Sequence, residues 1–470
     1  MVAAAILVAS TPDDAGPGQE AAVTHAPGID RVSSNDLTVM ASDRGPAPMH
    51  MAAILEFDDA GTGSPDFAEV STVLAQRIPR VPRLRRRLVR TPAGCGRPIW
   101  ADDPDFSLAR HLSEAVVPDG REAVLRLAAD LVCRRLPADR PPWTARWVRS
   151  ESGGPGSLVF IVHHAMADGL NGLAVLAALG DGGVDPAQED FPRPMPSPRE
   201  LRRDAWRQRL ADLGRLPRGL VGGLRGLREL GLVSRRRIHA TPTSFNRPTG
   251  ARRRIATVAL PLRPVLDTAH ARRCTLNDLV LVAVGGAMAT ALRLRGESPG
   301  AFVVSVPISA RPGTDVAVLG NATGVVPVEV PSDPDPEVRL ARVAEQTAAR
   351  KSAARGGAPR GASAGPLGIA FRALARAGVF QRYIDRQRLV NTFLSNMRGP
   401  AEPISIAGHR IATIVPVTLT PGNVGVCFAV VSYAGQLVLT VLADPEVVPE
   451  VDELASGLSD ELRRLTEAAS

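Results

Sequence analysis

The sequence predicts an α/β fold made of two domains, and three observations support this. The chain has 470 residues with 44% hydrophobic content, which is more than one ordinary core needs. Strand-like apolar runs alternate with helix-like segments in both halves. Residues 181–198 are rich in Asp, Gly and Pro, as linkers are. We therefore predict a disordered extension at 1–30, a first domain at 31–180, a linker at 181–250 and a second domain at 251–470.

In the first half, the spacing of apolar residues separates helices from strands. The run from Ser157 to Val162 is apolar on both faces, which is typical of a strand in the middle of a sheet. We predict strands at 52–57, 143–148 and 157–162, and helices at 67–78, 121–136 and 170–179.

The second half repeats this alternation. Thr275 precedes a long apolar segment and is a candidate N-cap for a helix over 276–294. We expect a loop rich in Gly, Ala and Ser at 351–366 and a closing helix at 451–468. Strands are predicted at 254–260, 302–307, 324–330, 388–394, 411–415, 424–432 and 437–442.

The composition excludes several classes of protein. Charged residues make up 22% of the chain, and no uninterrupted apolar stretch reaches the roughly 18 residues of a membrane span. The net charge of +8 comes almost entirely from arginine, which attracts the phosphates of nucleic acids, lipid head groups or coenzyme A. Aromatic content of only 4%, without a zinc or helix-turn-helix motif, argues against nucleic acid. The four cysteines have no metal or redox spacing and are expected to be reduced thiols in the cytoplasm.

Residues 199–237 form a strongly basic segment. They hold 12 arginines against four acids, a local balance of 12 − 4 = +8, and include Trp206. Leu220, Leu224 and Leu227 recur at helical spacing. Two interpretations stay open: basic amphipathic helices that lie on an anionic membrane, or an interdomain crossover whose apolar face packs on the protein.

The strongest candidate for chemistry is His163-His164-x-x-x-Asp168-Gly169, at the end of the predicted central strand. Adjacent side chains on a strand point to opposite faces, so only one histidine can face a given cleft. Histidine titrates near neutrality and can take a proton from an alcohol and pass it on. Asp168 in the following turn can pair with an arginine, and Gly169 permits backbone conformations that a side chain forbids.

Other catalytic classes lack their signatures. The sequence contains no Gly-x-Ser-x-Gly elbow of a serine hydrolase, no phosphate-binding loop and no dinucleotide fingerprint in its proper context. No further His, Cys or carboxylate cluster stands at the spacing of metal ligands, so no metal is expected.

The order of several motifs carries a family resemblance. The chain resembles the bacterial wax ester synthase/diacylglycerol acyltransferase family across residues 31–467. That family lies within the superfamily of chloramphenicol acetyltransferase-like, coenzyme A-dependent acyltransferases. Besides the histidine motif, the resemblance rests on Ser34-Asn35-Asp36, Pro48-Met49-His50, Arg97-Pro98-Ile99-Trp100, Pro142-Trp143, Asn277-Asp278, Val306-Pro307-Ile308-Ser309-Ala310-Arg311, Leu319-Gly320-Asn321 and Ser395-Asn396-Met397-Arg398-Gly399-Pro400.

The resemblance implies two chloramphenicol-acetyltransferase-like domains around a central substrate tunnel. It implies that His164 is the general base, that His163 accompanies it, and that Asp168 is structural, with Arg311 as its candidate partner. The residues it suggests for substrate binding are Gly169, Asn277, Asp278, Ser395 and Asn396. For the last four, ordinary chemistry of a helix start or a turn remains the alternative. Trp100 and Trp143 are expected in the core.

The implied activity is transfer of a long-chain acyl group from acyl-CoA, as co-substrate, to diacylglycerol, with fatty alcohols as further acceptors. No cofactor is expected. The alternatives are acylation of another small-molecule or polyketide alcohol, and a non-catalytic lipid-surface protein. The expected location is the cytoplasm, with peripheral attachment to the inner face of the plasma membrane or to lipid bodies.

Some positions depart from the family pattern. Thr144 stands where the family usually has Glu, and Ser107 stands where Asp is common. Met397 and Arg398 replace the usual Val-Pro. These departures are expected to affect substrate preference rather than the chemistry.

Overall fold

The computed structural model describes residues 29–58, 63–166, 175–182, 190–211, 240–309, 323–355, 375 and 378–467. The extension predicted at 1–30 therefore lies almost wholly outside the described residues, as does much of the loop predicted at 351–366. The strands are β1 Asp30–Arg31, β2 His50–Phe57, β3 Arg86–Val89, β4 Ile99–Asp102, β5 Leu112–Val117, β6 Trp143–Ser150, β7 Ser157–His163, β8 Arg254–Pro261, β9 Ala301–Ser309, β10 Thr323–Pro331, β11 Thr392–Arg398, β12 Ser405–Ile406, β13 His409–Val417, β14 Val426–Tyr433 and β15 Gln436–Ala443.

The α-helices are interspersed with these strands along the chain, and the last helix follows the last strand. They are α1 Ser34–Ser42, α2 Phe67–Arg77, α3 Arg121–Val132, α4 Leu262–Ala271, α5 Leu276–Leu294, α6 Pro336–Arg355, α7 Val379–Ile384 and α8 Val451–Glu467. Residues 175–179 and 198–211 are also helical. The predicted α/β class with two domains is confirmed, since the chain forms two six-stranded sheets, each packed against its own hydrophobic core.

The first sheet has the strand order β12-β13-β2-β7-β6-β5. Strand β7 lies in its middle, antiparallel to both β2 and β6, and its residues Leu158 to Ile161 are at most 4% exposed. The prediction of a central strand at 157–162 is therefore confirmed. His163 is the last residue of β7, so the histidine motif begins where this central strand ends and the chain turns.

The second sheet has the order β10-β9-β11-β14-β15-β8 and packs on α5 and α8. Thr275 caps α5 as predicted, because its side chain accepts from the Asp278 N–H while the Asp278 side chain accepts from the Thr275 N–H. Helix α5 is long and apolar enough to cross a membrane, but 78% of it is buried inside the protein. It is therefore the core helix of this domain.

The second half does not keep all its strands in its own sheet. Strand β13 pairs with β2 and β12 pairs with β13, so both belong to the first sheet. The prediction that 251–470 forms one separate domain is wrong for this segment. The alternation of apolar residues identifies a strand but does not say which sheet receives it, because strand pairing is non-local.

Two element boundaries also differ from prediction. The strand expected at 388–394 begins at Thr392 and continues to Arg398, so it carries the Ser395-Asn396 pair inside it. The loop expected at 351–366 is helical over its first residues, since α6 continues to Arg355. Helix formers such as Ala and Lys at 351–354 extend the helix despite the low-complexity composition.

The helix at 198–211 attaches the start of the predicted linker to the first domain. The buried Arg31 guanidinium donates to Asp204 at 2.8 Å and also to the Leu201 carbonyl. Leu201 joins a small core with Ile29, Cys95, Ile99 and Ala101. The packing interpretation is thus correct for this face of the basic segment, while residues 212–237 lie outside the described part.

Candidate active site

The backbone at the end of β7 holds both histidines in place. The His163 N–H donates to the Pro142 carbonyl at 3.0 Å, and the His164 N–H donates to the Met49 carbonyl at 2.9 Å. The Met166 N–H then donates back to the His163 carbonyl at 2.8 Å, which closes a turn. His164 thus stands at the first turn position after a buried central strand, partly exposed and rigidly supported.

The imidazole of His163 is held by partners within the protein. Its Nδ1 accepts from the Ala165 N–H at 3.0 Å, and its Nε2 lies 3.4 Å from Oδ2 of Asp43. Because Nδ1 accepts, the proton of the neutral ring is on Nε2, from which it is donated to the carboxylate. His163 is therefore fixed in one tautomer and one orientation.

Asp43 is the C-cap residue of α1 and collects several donors. Its Oδ1 accepts from the Met49 N–H at 3.0 Å, and its Oδ2 lies 3.1 Å from Nη1 of Arg135. Burial raises the pKa of Asp43, but the hydrogen bond from His163, the charge of Arg135 and the hydrogen bond from the Met49 N–H outweigh burial and lower it. The carboxylate is therefore anionic at neutral pH.

His50 completes the group on this side of the sheet. It is the Cα partner of His163 across β2 and β7, and the two rings meet edge to face with centroids 5.8 Å apart. Burial, and then the proximity of His163, lower the pKa of His50 to about 4. His50 is therefore a neutral imidazole at neutral pH.

A cleft between the two domains opens beside His50. Its walls are mostly apolar, but Nδ1 of His50 and Oγ1 of Thr420 are buried there without a hydrogen-bond partner among the described residues. The cleft is lined by Ala47, Pro48, Met49, His50, Val132, Arg253, Thr418, Leu419, Thr420, Pro421 and Leu442.

The second group of predicted site residues meets at the start of α5. Nδ2 of Asn396 on β11 donates to Oδ1 of Asn277 at 3.4 Å, so the structure brings these two side chains together. Asp278 is buried and used by the fold, because its carboxylate accepts from Thr275 and from the Thr347 hydroxyl. Its contact with Thr275 is the ordinary chemistry of a helix start, and its contact with Thr347 ties α5 to α6.

Three predicted residues, Asp168, Gly169 and Arg311, lie outside the described residues. Their roles stay predictions. Ser395 is described and lies on β11 next to Asn396, with its side chain partly exposed. Its role in binding substrate also stays a prediction.

The tryptophans and one departure from the family pattern have clear structural roles. Trp100 and Trp143 are each 1% exposed, as expected for core residues. Trp143 Nε1 donates to the Leu84 carbonyl at 2.7 Å. The hydroxyl of Thr144 donates to the His111 carbonyl at 2.9 Å and lies 3.3 Å from the Arg146 guanidinium. Thr144 therefore fits this strand without the acid usual in the family.

Sequence reasoning missed Asp43 and Arg135 and assigned no role to His50. His50 was visible as part of Pro48-Met49-His50, and its position opposite His163 could only come from the strand register. Asp43 has no sequence motif around it, because its partners are Met49 just before β2, His163 at the end of β7 and Arg135 after α3. Within the part of the chain that is described, no three His, Cys, Asp or Glu side chains converge as metal ligands.

Comparison with known proteins identifies the class. The family model of the wax ester synthase/diacylglycerol acyltransferase catalytic domain matches residues 32–280, and that of the C-terminal domain of the same family matches residues 319–466. The chain belongs to this family and is an acyltransferase. The resemblance recognised in the sequence is thereby confirmed.

Individual relatives agree with this assignment. A probable diacylglycerol O-acyltransferase of Mycobacterium tuberculosis is 28% identical over 419 residues, covering 86% of this chain and 88% of the relative. The solved wax ester synthase/diacylglycerol acyltransferase of Marinobacter aquaeolei superposes with a TM-score of 0.66 at 18% identity, covering 94% of this chain and 99% of that one. The first condensation domain of the calcium-dependent antibiotic synthetase has a TM-score of 0.60 at 18% identity, covering 94% and 96%. These two structures share the fold of this chain.

Proposed function

We propose that the protein transfers a long-chain acyl group from acyl-CoA to the free hydroxyl of diacylglycerol, and accepts fatty alcohols as a second class of acceptor. The observation that carries this proposal is the arrangement of the two histidines in a chain of this family. His163 is engaged by Asp43 and Ala165, while His164 follows it on the rigid turn. His164 is proposed as the base because it is the second histidine of the family motif and its side chain is partly exposed where the buried strand ends.

The proposed reaction needs one base and good orientation, since a thioester is already activated. His164 takes the hydroxyl proton as the alcohol oxygen forms its bond to the thioester carbonyl carbon. A hydrogen-bond donor stabilises the oxyanion, the carbon–sulfur bond breaks, and the same histidine returns the proton to the thiolate. The ester and free coenzyme A are the products, and the proposal includes no metal, prosthetic group or acyl-enzyme.

The remaining predicted residues take supporting roles in this proposal. Ser395 and Asn396 are candidates for the oxyanion donor or for acceptor contacts, and Asn277 orients Asn396 through their mutual hydrogen bond. Asp168 and Arg311 are proposed to pair and hold the turn after His164. Gly169 is proposed to allow the tight conformation of that turn.

The acceptor is tested with purified protein, palmitoyl-CoA and one acceptor per assay, either dioleoylglycerol or hexadecanol. Triacylglycerol as the faster product supports the proposal. Wax ester as the only product would make the protein a wax ester synthase. If neither ester forms in folded protein that binds palmitoyl-CoA, the acceptor is another alcohol, such as a polyketide. Failure to bind palmitoyl-CoA would favour a non-catalytic lipid-surface protein.

We also propose that the protein attaches peripherally to an anionic lipid surface, on the inner face of the plasma membrane or on lipid bodies. The outward face of the helix at 198–211 supports this. Trp206 is 58% exposed and Leu210 is 61% exposed, one helical turn apart. Exposed arginines surround them, namely Arg202, Arg203, Arg207 and Arg209. Apolar anchors within a basic face are the pattern of interfacial helices.

Sedimentation with vesicles tests this attachment. Vesicles of phosphatidylcholine with phosphatidylglycerol should bind the protein, and pure phosphatidylcholine should bind it much less. The double variant Trp206→Ala, Leu210→Ala should lose most of the binding. Leu294→Ala removes a leucine that is 76% exposed elsewhere and serves as the control. If the wild type, the double variant and Leu294→Ala sediment equally with the vesicles, this helix is not the attachment site.

A further inference from the structure

We infer that Asp43 is a positioning residue for the acyl transfer, which acts on His164 by fixing the imidazole of His163 and the strand beside it. This inference rests on the proposed function of His164. Asp43 would not touch the substrate. It would set the geometry of the residue that does.

A carboxylate at the position of Asp43 costs free energy unless other groups stabilise its charge. Asp43 caps the C-terminal end of α1, where the helix dipole is negative and an anion is disfavoured. The cost is offset by donors from three other parts of the first domain: Met49 just before β2, His163 at the end of β7, and Arg135 after α3. With 13% of its side chain exposed, the carboxylate is largely withdrawn from water.

One route from Asp43 to His164 runs through His163. The Ala165 N–H occupies Nδ1 of His163, and Asp43 receives the proton of Nε2. Both ring nitrogens are thereby engaged on opposite sides. A rotation of the ring would break both contacts and release the Ala165 N–H, which belongs to the turn that also contains His164. The carboxylate therefore stabilises this turn through the ring.

A second route runs through the neighbouring strand. The Met49 N–H donates to Asp43, and the carbonyl of Met49 accepts from the His164 N–H. Only one residue thus separates the carboxylate from the backbone of His164. Arg135 strengthens the arrangement, because its guanidinium also donates to the Gly45 carbonyl at 3.0 Å and keeps the loop between α1 and β2 in place.

The test compares Asp43→Asn with a matched control. Asn has the same shape and can still accept from Met49, but it lacks the charge that orders His163. We expect kcat with palmitoyl-CoA to fall roughly ten- to a hundred-fold, the scale of a small misplacement of a catalytic group, with KM for palmitoyl-CoA within about twofold. Asp385→Asn is the control, since Asp385 is also a helix C-cap, at the end of α7, and kcat should not change. Wild-type kcat in Asp43→Asn would overturn the inference.

A second readout works without turnover and on the wild-type protein. In NMR spectra of protein labelled with 15N-histidine, the His163 ring should give the signals of an imidazole with a proton on Nε2 and none on Nδ1. The His163 signals are assigned by their absence in His163→Gln. Asp43→Asn should shift these signals towards a mixture of tautomers. A wild-type signal with the proton on Nδ1 would refute the inference even if the variant fails to fold. If the wild type makes no ester but has the expected tautomer, the proposed function fails and the Asp43–His163 contact stands.

Discussion

Replacing Tyr433 with phenylalanine removes a hydroxyl that connects β14 of the second sheet to β13, the crossing strand, which comes from the second half of the chain but pairs in the first sheet. Tyr433 ends β14 and is 1% exposed. Its hydroxyl donates to the Ile411 carbonyl at 2.9 Å and accepts from the Ile404 N–H at 2.8 Å. Each hydrogen bond contributes about 1 kcal/mol, and a buried backbone group left unpaired adds a desolvation cost. We therefore expect Tyr433→Phe to lower the free energy of unfolding by about 2 to 3 kcal/mol.

Urea unfolding followed by tryptophan fluorescence measures this loss, because Trp143 and Trp147 are buried in the first sheet, which the crossing strand completes. Tyr383→Phe is the matched control. Tyr383 is the other tyrosine of the chain and is only partly buried, so its change should stay within about 0.5 kcal/mol. If both variants unfold at the same urea concentration, the hydroxyl of Tyr433 does not hold the crossing strand, and the reasoning is refuted.

Three further predictions concern stability. The pKa of His50 is about 4 in the folded protein against 6.5 for a free histidine, so only the unfolded chain binds that proton between these values. The contribution of His50 to stability should therefore be constant above pH 6.5 and fall by about 3 kcal/mol as the pH drops towards 4. His50→Gln should flatten this part of the pH dependence of the urea midpoints, and an unchanged slope would contradict the prediction. Asp204→Ala leaves the buried Arg31 guanidinium without its carboxylate and should lower the free energy of unfolding by about 3 kcal/mol. Arg202→Gln, at an exposed position on the same helix, should leave it unchanged. Equal thermal midpoints of the two variants would contradict a stabilising role for the Arg31–Asp204 ion pair. Gly286→Ala would place a Cβ against the Glu461 carboxyl carbon, closer than van der Waals contact allows, and Arg339 holds that carboxylate in place. Gly457→Ala meets nothing closer than 3.3 Å. Gly286→Ala should therefore lower the free energy of unfolding by about 1 to 3 kcal/mol, and Gly457→Ala should be tolerated. Calorimetry measures both variants, and a larger loss in Gly457→Ala would contradict the prediction.

Much of the fold was predictable from local patterns. The apolar run at 157–162 identified the central strand, because a strand buried on both faces has no polar alternation. Thr275 identified the start of α5, because capping chemistry is local in sequence. The family assignment followed from the order of several short motifs and was confirmed by the match over both domains.

What could not be predicted depends on contacts distant in sequence. Strand β13 has an ordinary strand pattern, and only the folded chain places it beside β2. Asp43 is separated from His163 by 120 positions and has no motif around it, so its role emerges only where α1, β2 and β7 meet. The two interpretations of the basic segment were undecidable in sequence, because the helix at 198–211 has a packed face and an exposed face.

The central claim is that His164 is the base of an acyl transfer, and ester formation by His164→Ala tests it most directly. The assay uses palmitoyl-CoA and dioleoylglycerol and compares three purified proteins: the wild type, His164→Ala and His270→Ala. His270→Ala replaces an exposed histidine at the end of α4. All three proteins must first be shown to be folded and to bind palmitoyl-CoA equally well. The account predicts that His164→Ala loses roughly a hundred- to ten-thousand-fold in turnover, as expected for a lost general base, while His270→Ala keeps wild-type turnover. Wild-type turnover by His164→Ala would contradict it.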